Sequence, residues 1–280
     1  MQKTGLHRNT KDKYYTKSHI VNYCLQAIKK RIIIQNNDVI IEPSAGNGAF
    51  SDPLSKSHNN VLAYDIEPDN DGIIQQDYLT FGASAIKDKY DKIHIIGNPP
   101  FGRQSSLARK FIKKSCEFCD TLSFVLPKSF KKDSFQKTFP LHFHLMYQVD
   151  LPEKSFQVNS KDYDVPCVFQ IWIKKDEPRP VKEKLHPTYY SFVKKDEGGD
   201  ISLRRVGVYA GKISTEIESK SPQSHYFIRL KEGIHVNTFV DEYNKKVQFD
   251  HENTVGPKSI SKQELIEQLN VLFKSPVQWV

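Results

Sequence analysis

Short apolar runs recur through the first two thirds of the chain, and each leads into a polar or glycine-containing segment. The runs predict seven strands, near residues 38–42, 60–64, 75–79, 91–97, 121–127, 142–151 and 165–173. Strands of this length that alternate with loops or helices are typical of parallel sheets joined by crossover connections. We therefore expect an α/β fold built on a mostly parallel seven-stranded sheet with helices on both faces.

The chain changes character after the last of these runs. Residues 176–184 are charged and are interrupted by prolines, which favours a linker. We expect one domain over residues 1–176 and a small C-terminal α+β module over residues 177–280. The module should contain helices near 236–247 and 263–273, the second of them opened by a capping box of Ser261 and Glu264.

Composition excludes several classes of protein. Hydrophobic residues make up 38% and charged residues 26% of the 280-residue chain, as in a soluble globular protein. No apolar run approaches the roughly 20 residues of a membrane span, and residues 1–17 have no signal-peptide core. We expect an intracellular protein, cytoplasmic or nuclear, that is neither secreted nor membrane-bound. Cys116 and Cys119 have no second cysteine pair, so no metal site is expected.

The net charge of +8 and the pI near 9.1 favour a polyanionic partner. Between residues 103 and 137 nine basic residues stand against three acidic ones. This run could be a solvated helix face, but its position after residue 101 favours a surface for phosphates. The candidate phosphate-binding residues are Arg103, Lys128, Lys131 and Lys132, with Arg204 and Arg205 in the C-terminal module.

A glycine-rich turn follows the first buried strand, in the stretch Glu42-Pro43-Ser44-Ala45-Gly46-Asn47-Gly48. Glycines at such a turn let the backbone approach a ligand closely, because they carry no Cβ. Asp65 ends the second strand, where nucleotide-binding folds place the acid that holds ribose hydroxyls. Asp77 ends the third. Together these residues predict a nucleotide-like ligand at the carboxyl edge of the sheet.

The fourth strand ends in Asn98-Pro99-Pro100-Phe101. Two consecutive prolines remove two backbone donors and fix the path of the chain, so the amide and the ring would be presented at the same sheet edge. The same tetrapeptide could also be an ordinary turn.

Further upstream, residues 19–28 have the apolar spacing of a helix, for which Thr16 is a candidate N-cap.

In their order, Tyr15-Thr16, residues 42–48, Asp65, Asp77 and residues 98–101 resemble the motifs of S-adenosylmethionine-dependent N6-adenine methyltransferases. The motif order is similar to that of the gamma-class adenine DNA methyltransferases, and the catalytic loop also occurs in cap-adenosine RNA methyltransferases. The resemblance covers residues 11–175. It implies a Rossmann-like class I methyltransferase domain, S-adenosylmethionine as cofactor, and S-adenosylhomocysteine as product.

The resemblance also implies a role for each matching position. Tyr15 and Thr16 would contact the methionine part of the cofactor, and residues 42–48 would line it. Asp65 would hold the ribose, while the adenine of the cofactor would meet three residues: Ile66, Asp77 and Tyr78. Asn98 and the carbonyl of Pro99, supported by Pro100, would receive the target amine. Phe101 would stack on the target base, and Phe156 would be a second stacking ring.

The predicted function is transfer of a methyl group to the N6 amine of adenine in nucleic acid, with DNA as the first candidate. The alternative is RNA methylation, at N6 of an internal or cap-proximal adenosine or at N2 of guanine. A third reading is a non-catalytic nucleic-acid-binding subunit. The C-terminal module would recognise the substrate. Target sequence, oligomeric state, and the need for a partner subunit stay open.

Overall fold

The computed structural model describes residues 14–158, 160–249, 258–275 and 279. The chain divides into two compact units, at Pro180 and Val181. No helix in these described ranges combines the length and the apolar character that a bilayer crossing requires.

In the described residues of the N-terminal unit there are ten strands and five α-helices. The strands are β1 Tyr15–Thr16, β2 Val39–Glu42, β3 Val61–Asp65, β4 Ile74–Gln75, β5 Ile93–Gly97, β6 Thr121–Pro127, β7 Phe143–Asp150, β8 Phe156–Val158, β9 Lys161–Tyr163 and β10 Cys167–Lys174. The helices are α1 Ser18–Lys29, α2 Ser51–Ser55, α3 Ser84–Lys87, α4 Ser106–Cys116 and α5 Asp133–Gln136.

Seven strands form one sheet in the order β4-β3-β2-β5-β6-β10-β7. Neighbours from β4 to β6 are parallel, while β10 is antiparallel to both β6 and β7. The expected mostly parallel, Rossmann-like sheet of the class I methyltransferases is thus confirmed. Its central strands β2, β5 and β6 are buried along their whole length and are mainly apolar, as Ile41 and Ile95 illustrate with no exposed surface. Burial on both faces explains why these strands read as continuous apolar runs.

Two local predictions near the sheet were wrong. Thr16 does not cap α1; it lies in β1, and Lys17 precedes the helix without a side-chain cap. The third strand ends at Gln75 because Asp77 caps a short 3-10 turn at 78–80 by accepting a hydrogen bond from the backbone N–H of Leu79. Both residues have side chains that can cap a helix. Thr16 instead lies in a strand that pairs with a distant segment, and Asp77 caps the short turn that follows it.

A second, three-stranded sheet joins the N-terminus to a region about 140 residues later, in the order β1-β8-β9. Tyr15 pairs with Gln157 and Thr16 with Phe156. Lys17 adds an ion pair to Asp162 at 2.6 Å. This sheet was not predicted, because strands of two or three residues carry no periodic signal.

The N-terminal unit extends four residues beyond the predicted boundary at 176. Arg179 explains the difference: its guanidinium donates hydrogen bonds to the carbonyls of Pro140 and Phe143 at 2.6 Å, and to two more carbonyls nearby. The same group lies 5.4 Å from the ring centroid of Trp172. The first part of the predicted linker is therefore anchored in the larger unit.

The described part of the C-terminal unit contains a four-stranded antiparallel sheet and two α-helices. Its elements are β11 Tyr190–Val193, β12 Ile201–Arg204, β13 Ile213–Ser214, β14 His225–Leu230, α6 Val236–Lys246 and α7 Lys262–Phe273, with the strand order β11-β14-β12-β13. The predicted helices are confirmed. So is the capping box, in which Ser261 Oγ accepts from the Glu264 N–H and Glu264 accepts from the Ser261 N–H at 2.7 Å.

Candidate active site

A cavity of about 390 Å³ lies at the carboxyl edge of the sheet, where β2, β3 and β5 end. This edge cavity is lined by every residue predicted for cofactor binding or catalysis except Gly48. These are Tyr15, Thr16, Glu42, Pro43, Ser44, Ala45, Gly46, Asn47, Asp65, Ile66, Asp77, Tyr78, Asn98, Pro99, Pro100 and Phe101. Parallel strands bring their carboxyl ends to one edge, so motifs separated in sequence meet there.

The glycine-rich turn is shaped by its neighbours on both sides. Gly46 has φ +54°, and a Cβ there would lie 3.3 Å from the ring of Tyr15. The Tyr15 hydroxyl donates to Asp69, and burial together with this carboxylate raises the pKa of Tyr15 to about 12. Gly48, with φ +85°, lies outside the cavity lining and serves the turn itself. The turn is thus packed under Tyr15.

Glu42 fixes the glycine-rich turn through a buried hydrogen bond. Its carboxylate accepts a hydrogen bond from the Ser51 N–H at 2.6 Å, at the start of α2. Only 2% of the residue is exposed, and burial raises the pKa of Glu42 to about 8 against the opposing effect of Ser51. Glu42 therefore lines the cavity largely as a neutral acid at pH 7 and also fixes the path of the loop.

Asp65 and Asp77 are two of the acidic residues that line the cavity, and both already accept hydrogen bonds from the backbone. Asp65 accepts from the Gly46 N–H and from the Glu67 N–H, each at 2.8 Å. Asp77 accepts from the Leu79 N–H at 2.9 Å. A carboxylate has about four lone-pair positions, so each retains capacity for a ligand hydroxyl or amine.

Tyr78 contributes an apolar wall and no polar group. It is 1% exposed, its hydroxyl lies 3.0 Å from Ser115 Oγ, and its ring stacks on Phe111 at 5.5 Å. Ile66, in contrast, is 65% exposed on the cavity lining, where it could cover a flat ligand ring. Of these two residues expected beside the adenine of the cofactor, Tyr78 therefore belongs to the core and Ile66 to the surface.

The side chain of Asn98 is held by the small N-terminal sheet. Its Nδ2 donates a hydrogen bond to the carbonyl of Tyr14 at 3.1 Å, and its backbone carbonyl accepts from Ser44 Oγ at 3.2 Å. Asn98 Oδ1 is buried and has no hydrogen-bond partner within the described part of the chain. Because the Tyr14 carbonyl can only accept, it fixes which side of the amide is NH₂ and leaves Oδ1 as an unused acceptor.

One aromatic residue with no role predicted from the sequence, Tyr14, also contributes to the cavity. Tyr14 lines the cavity, and its ring lies 5.1 Å from the ring of Tyr163 in β9. Phe156 requires a correction, because it is fully buried in β8 and is not part of the lining. In this arrangement a base cannot reach the Phe156 ring. The adjacent tyrosines at 14 and 15 were the available sequence signal.

The predicted phosphate-binding residues differ in their surroundings. Arg103 is exposed, whereas Lys128 and Lys131 both form ion pairs with Asp150 at 3.1 Å. Two cations share one carboxylate, so this group retains a net positive charge. Lys132, next in the chain, is half-buried.

In the C-terminal unit, Arg204 and Arg205 both donate to backbone carbonyls, those of Val206 and Gln223. The guanidinium of Arg205 also lies 5.5 Å from the ring centroid of Tyr226. The roles of both arginines in substrate binding stay predictions.

Comparison with known proteins gives partial matches. No protein-family model matches the sequence. The chain is 36% identical to the Type II methyltransferase M.HincII of Haemophilus influenzae over 99 residues, which are 34% of this chain and 18% of that protein. It therefore spans less than a fifth of this relative's length.

A longer match is to an rRNA adenine N-6-methyltransferase of Limosilactobacillus reuteri, 28% identical over 205 residues, or 67% of this chain and 80% of that protein. The crystal structure of the 23S rRNA methyltransferase ErmE aligns with 61% of this chain and 73% of its own, at 14% identity and a TM-score of 0.44. With the motif order and the strand order, the sequence matches confirm the resemblance of this chain to the S-adenosylmethionine-dependent N6-adenine methyltransferases.

Proposed function

We propose that this chain transfers a methyl group from S-adenosylmethionine to the N6 amine of adenine in nucleic acid. The observation that carries the proposal is the state of Asn98, whose amide nitrogen is held by Tyr14 while its buried oxygen has no partner in the described ranges. An unpaired buried acceptor costs free energy, about 1–3 kcal/mol. A substrate amine that donates to it would remove this cost.

The residues at the edge cavity fit the cofactor. A volume of about 390 Å³ is within the usual range for small-molecule sites. Gly46 lies on the cavity lining, Asp65 retains lone pairs for ribose hydroxyls, and Asp77 can accept from an adenine amine. When bound, S-adenosylmethionine supplies the electrophilic methyl group.

The protein's part in the reaction is to orient the amine. The lone pair of an adenine amine is delocalised into the ring, so the amine is a weak nucleophile. Asn98 Oδ1 and the Pro99 carbonyl would accept its two hydrogens and direct the lone pair towards the methyl group. Methyl transfer to the amine would form the N–C bond and break the S–C bond, with S-adenosylhomocysteine as the leaving group. One amine proton then leaves to solvent, because neither acceptor is a base.

The base itself would lie between aromatic rings. Phe101 follows the acceptors in the same loop, and Tyr14 also lines the cavity, with its ring 5.1 Å from that of Tyr163. Each stacked ring is worth roughly 1–3 kcal/mol, which offsets the few kcal/mol needed to extrude a base from a duplex. We therefore assign to Tyr14 the second stacking role that Phe156 cannot fill.

DNA is the first candidate substrate, because the motif order resembles that of the adenine DNA methyltransferases. RNA is the second candidate substrate. The match to an rRNA adenine N-6-methyltransferase over 67% of the chain supports RNA. Guanine N2 is less consistent with the same match. The two nucleic acids share the adenine amine, so the mechanism is the same for both.

The experiment is methyl transfer from labelled cofactor to a mixture of duplex DNA and RNA, followed by mass analysis of the nucleosides. We expect N6-methyladenine in one of the two. Asn98→Ala should lower the rate at least about a hundredfold, as removal of other preorganised groups does, while calorimetry shows cofactor binding unchanged. Asn98→Ala with full activity on every substrate would disprove the mechanism, and a methylated guanine would disprove the assignment to adenine.

A further inference from the structure

A second hollow, of about 360 Å³, lies on the C-terminal unit. It is formed where β11 ends, β14 begins and α7 starts. We name it the C-terminal hollow. Its lining combines aromatic and basic residues: Phe192, Val193, Lys194, Lys195, Asp196, Pro222, His225, Tyr226, Phe227 and Lys262.

Two aromatic rings give the hollow a rigid apolar wall. The rings of Phe192 and Tyr226 meet edge to face, with centroids 5.7 Å apart and planes at 70°. The Tyr226 hydroxyl donates to the carbonyl of Ile260 at 3.1 Å, which fixes the ring. Both residues are half-buried, so each leaves part of its ring accessible. Half-exposed, fixed rings are suitable for stacking a planar group.

Three lysines surround this wall, and none of them forms an ion pair with a carboxylate of the described residues. The ammonium of Lys262 lies 4.7 Å from the centroid of Phe192, and that of Lys195 donates to the carbonyl of Glu218 at 2.5 Å. Lys194 is exposed. Asp196 is the one acidic residue of the lining, so the hollow is positively charged. Lys128 and Lys131, in contrast, are partly neutralised by a shared carboxylate.

We propose that the C-terminal hollow binds one nucleotide of a nucleic-acid strand, with its base against Phe192 and Tyr226 and its phosphate on Lys194 and Lys262. Lys262 would exchange its contact with the Phe192 ring for the phosphate and free the ring for the base. Aromatic stacking combined with lysines is the way proteins bind single strands without reading sequence. The inference rests on the proposed function, because the bound nucleic-acid strand would be the substrate for methylation.

The test measures oligonucleotide binding by fluorescence anisotropy, with single-stranded DNA, single-stranded RNA and duplex DNA of about 16 nucleotides as separate arms. The variant is Lys194→Glu with Lys262→Glu, because both side chains are exposed. Lys231→Glu is the matched control: this exposed lysine of the same unit also lies over a ring, 5.6 Å from Tyr189, but not in the hollow.

We expect the double variant to bind about tenfold more weakly than the wild type. The slope of log affinity against log salt concentration should fall in magnitude by about one to two. Lys231→Glu should have a small effect on both quantities. Ultraviolet crosslinking of a 5-iodouridine oligonucleotide should label the peptides containing Phe192 or Tyr226. Equal losses in the double variant and the control, or no binding by the wild type, would overturn the proposal. Binding through the hollow without any methylated nucleoside would support the hollow and reject the proposed function.

Discussion

Replacing Glu42 with glutamine should change how the stability of the protein depends on pH. Burial raises the pKa of Glu42 from 4.5 to about 8 in the folded state. A carboxyl whose pKa is raised by folding stabilises the fold below its unfolded pKa, and this contribution is lost as the pH rises towards the folded pKa. For Glu42 the loss therefore begins above pH 4.5 and is complete above pH 8.

The magnitude follows from the difference between these two pKa values. Each unit corresponds to about 1.36 kcal/mol, so the full effect is ~5 kcal/mol above pH 8 and ~3 kcal/mol at pH 7. Glutamine resembles the neutral carboxyl in shape, keeps an oxygen for the Ser51 N–H and does not titrate. Relative to the wild type, Glu42→Gln should therefore gain stability as the pH rises.

The assay is urea unfolding of both proteins without cofactor, at intervals from pH 5 to pH 9. The difference in unfolding free energy should change by about 1.4 kcal/mol per pH unit up to pH 8 and then level off. Parallel curves for Glu42→Gln and the wild type would refute the reasoning.

Two further predictions concern the turn and the buried part of the sheet. Gly48→Ala should destabilise the protein by about 1–2 kcal/mol in thermal or urea unfolding, because φ is +85° and its Cβ would lie 2.5 Å from a carboxylate oxygen of Asp52. His94 lies with Nε2 3.1 Å from Asp38 and Nδ1 2.8 Å from Thr121 Oγ1. Since burial lowers the pKa of His94, ¹⁵N NMR at pH 6.5 should show a neutral ring protonated at Nε2, and a charged ring would contradict this.

The sequence was most informative where a motif follows a buried strand. The carboxyl ends of β2, β3 and β5 meet because the strands are parallel neighbours. Residues at strand ends could therefore be brought together from the strand pattern alone, and they do line one cavity. Periodicity also located the long helices, since α4, α6 and α7 each have an apolar stripe of at least three turns.

The pairing of short segments that lie far apart in the chain could not be predicted from the sequence. Tyr15 pairs with Gln157 across 142 positions, and a two-residue strand leaves no pattern to detect. For this reason Thr16 was interpreted as a helix cap and Phe156 as a free ring. The chain divides at Pro180 and Val181, inside the predicted linker, but the anchoring of the first part of that linker could not be predicted, because one arginine, Arg179, binds backbone carbonyls about 40 positions away.

The missed sheet also changes how the catalytic motif is understood. From the sequence, Asn98 is an amide presented by two prolines, and either of its ends could face a substrate. In the structure the Tyr14 carbonyl selects the orientation, because it binds the NH₂ group at 3.1 Å and leaves the oxygen unpaired. The carbonyl is in turn held by the pairing of β1 with β8 and by the ion pair of Lys17 with Asp162. The specificity of the proposed loop for a hydrogen-donating amine therefore depends on a contact 84 positions away in the chain, as well as on the tetrapeptide itself.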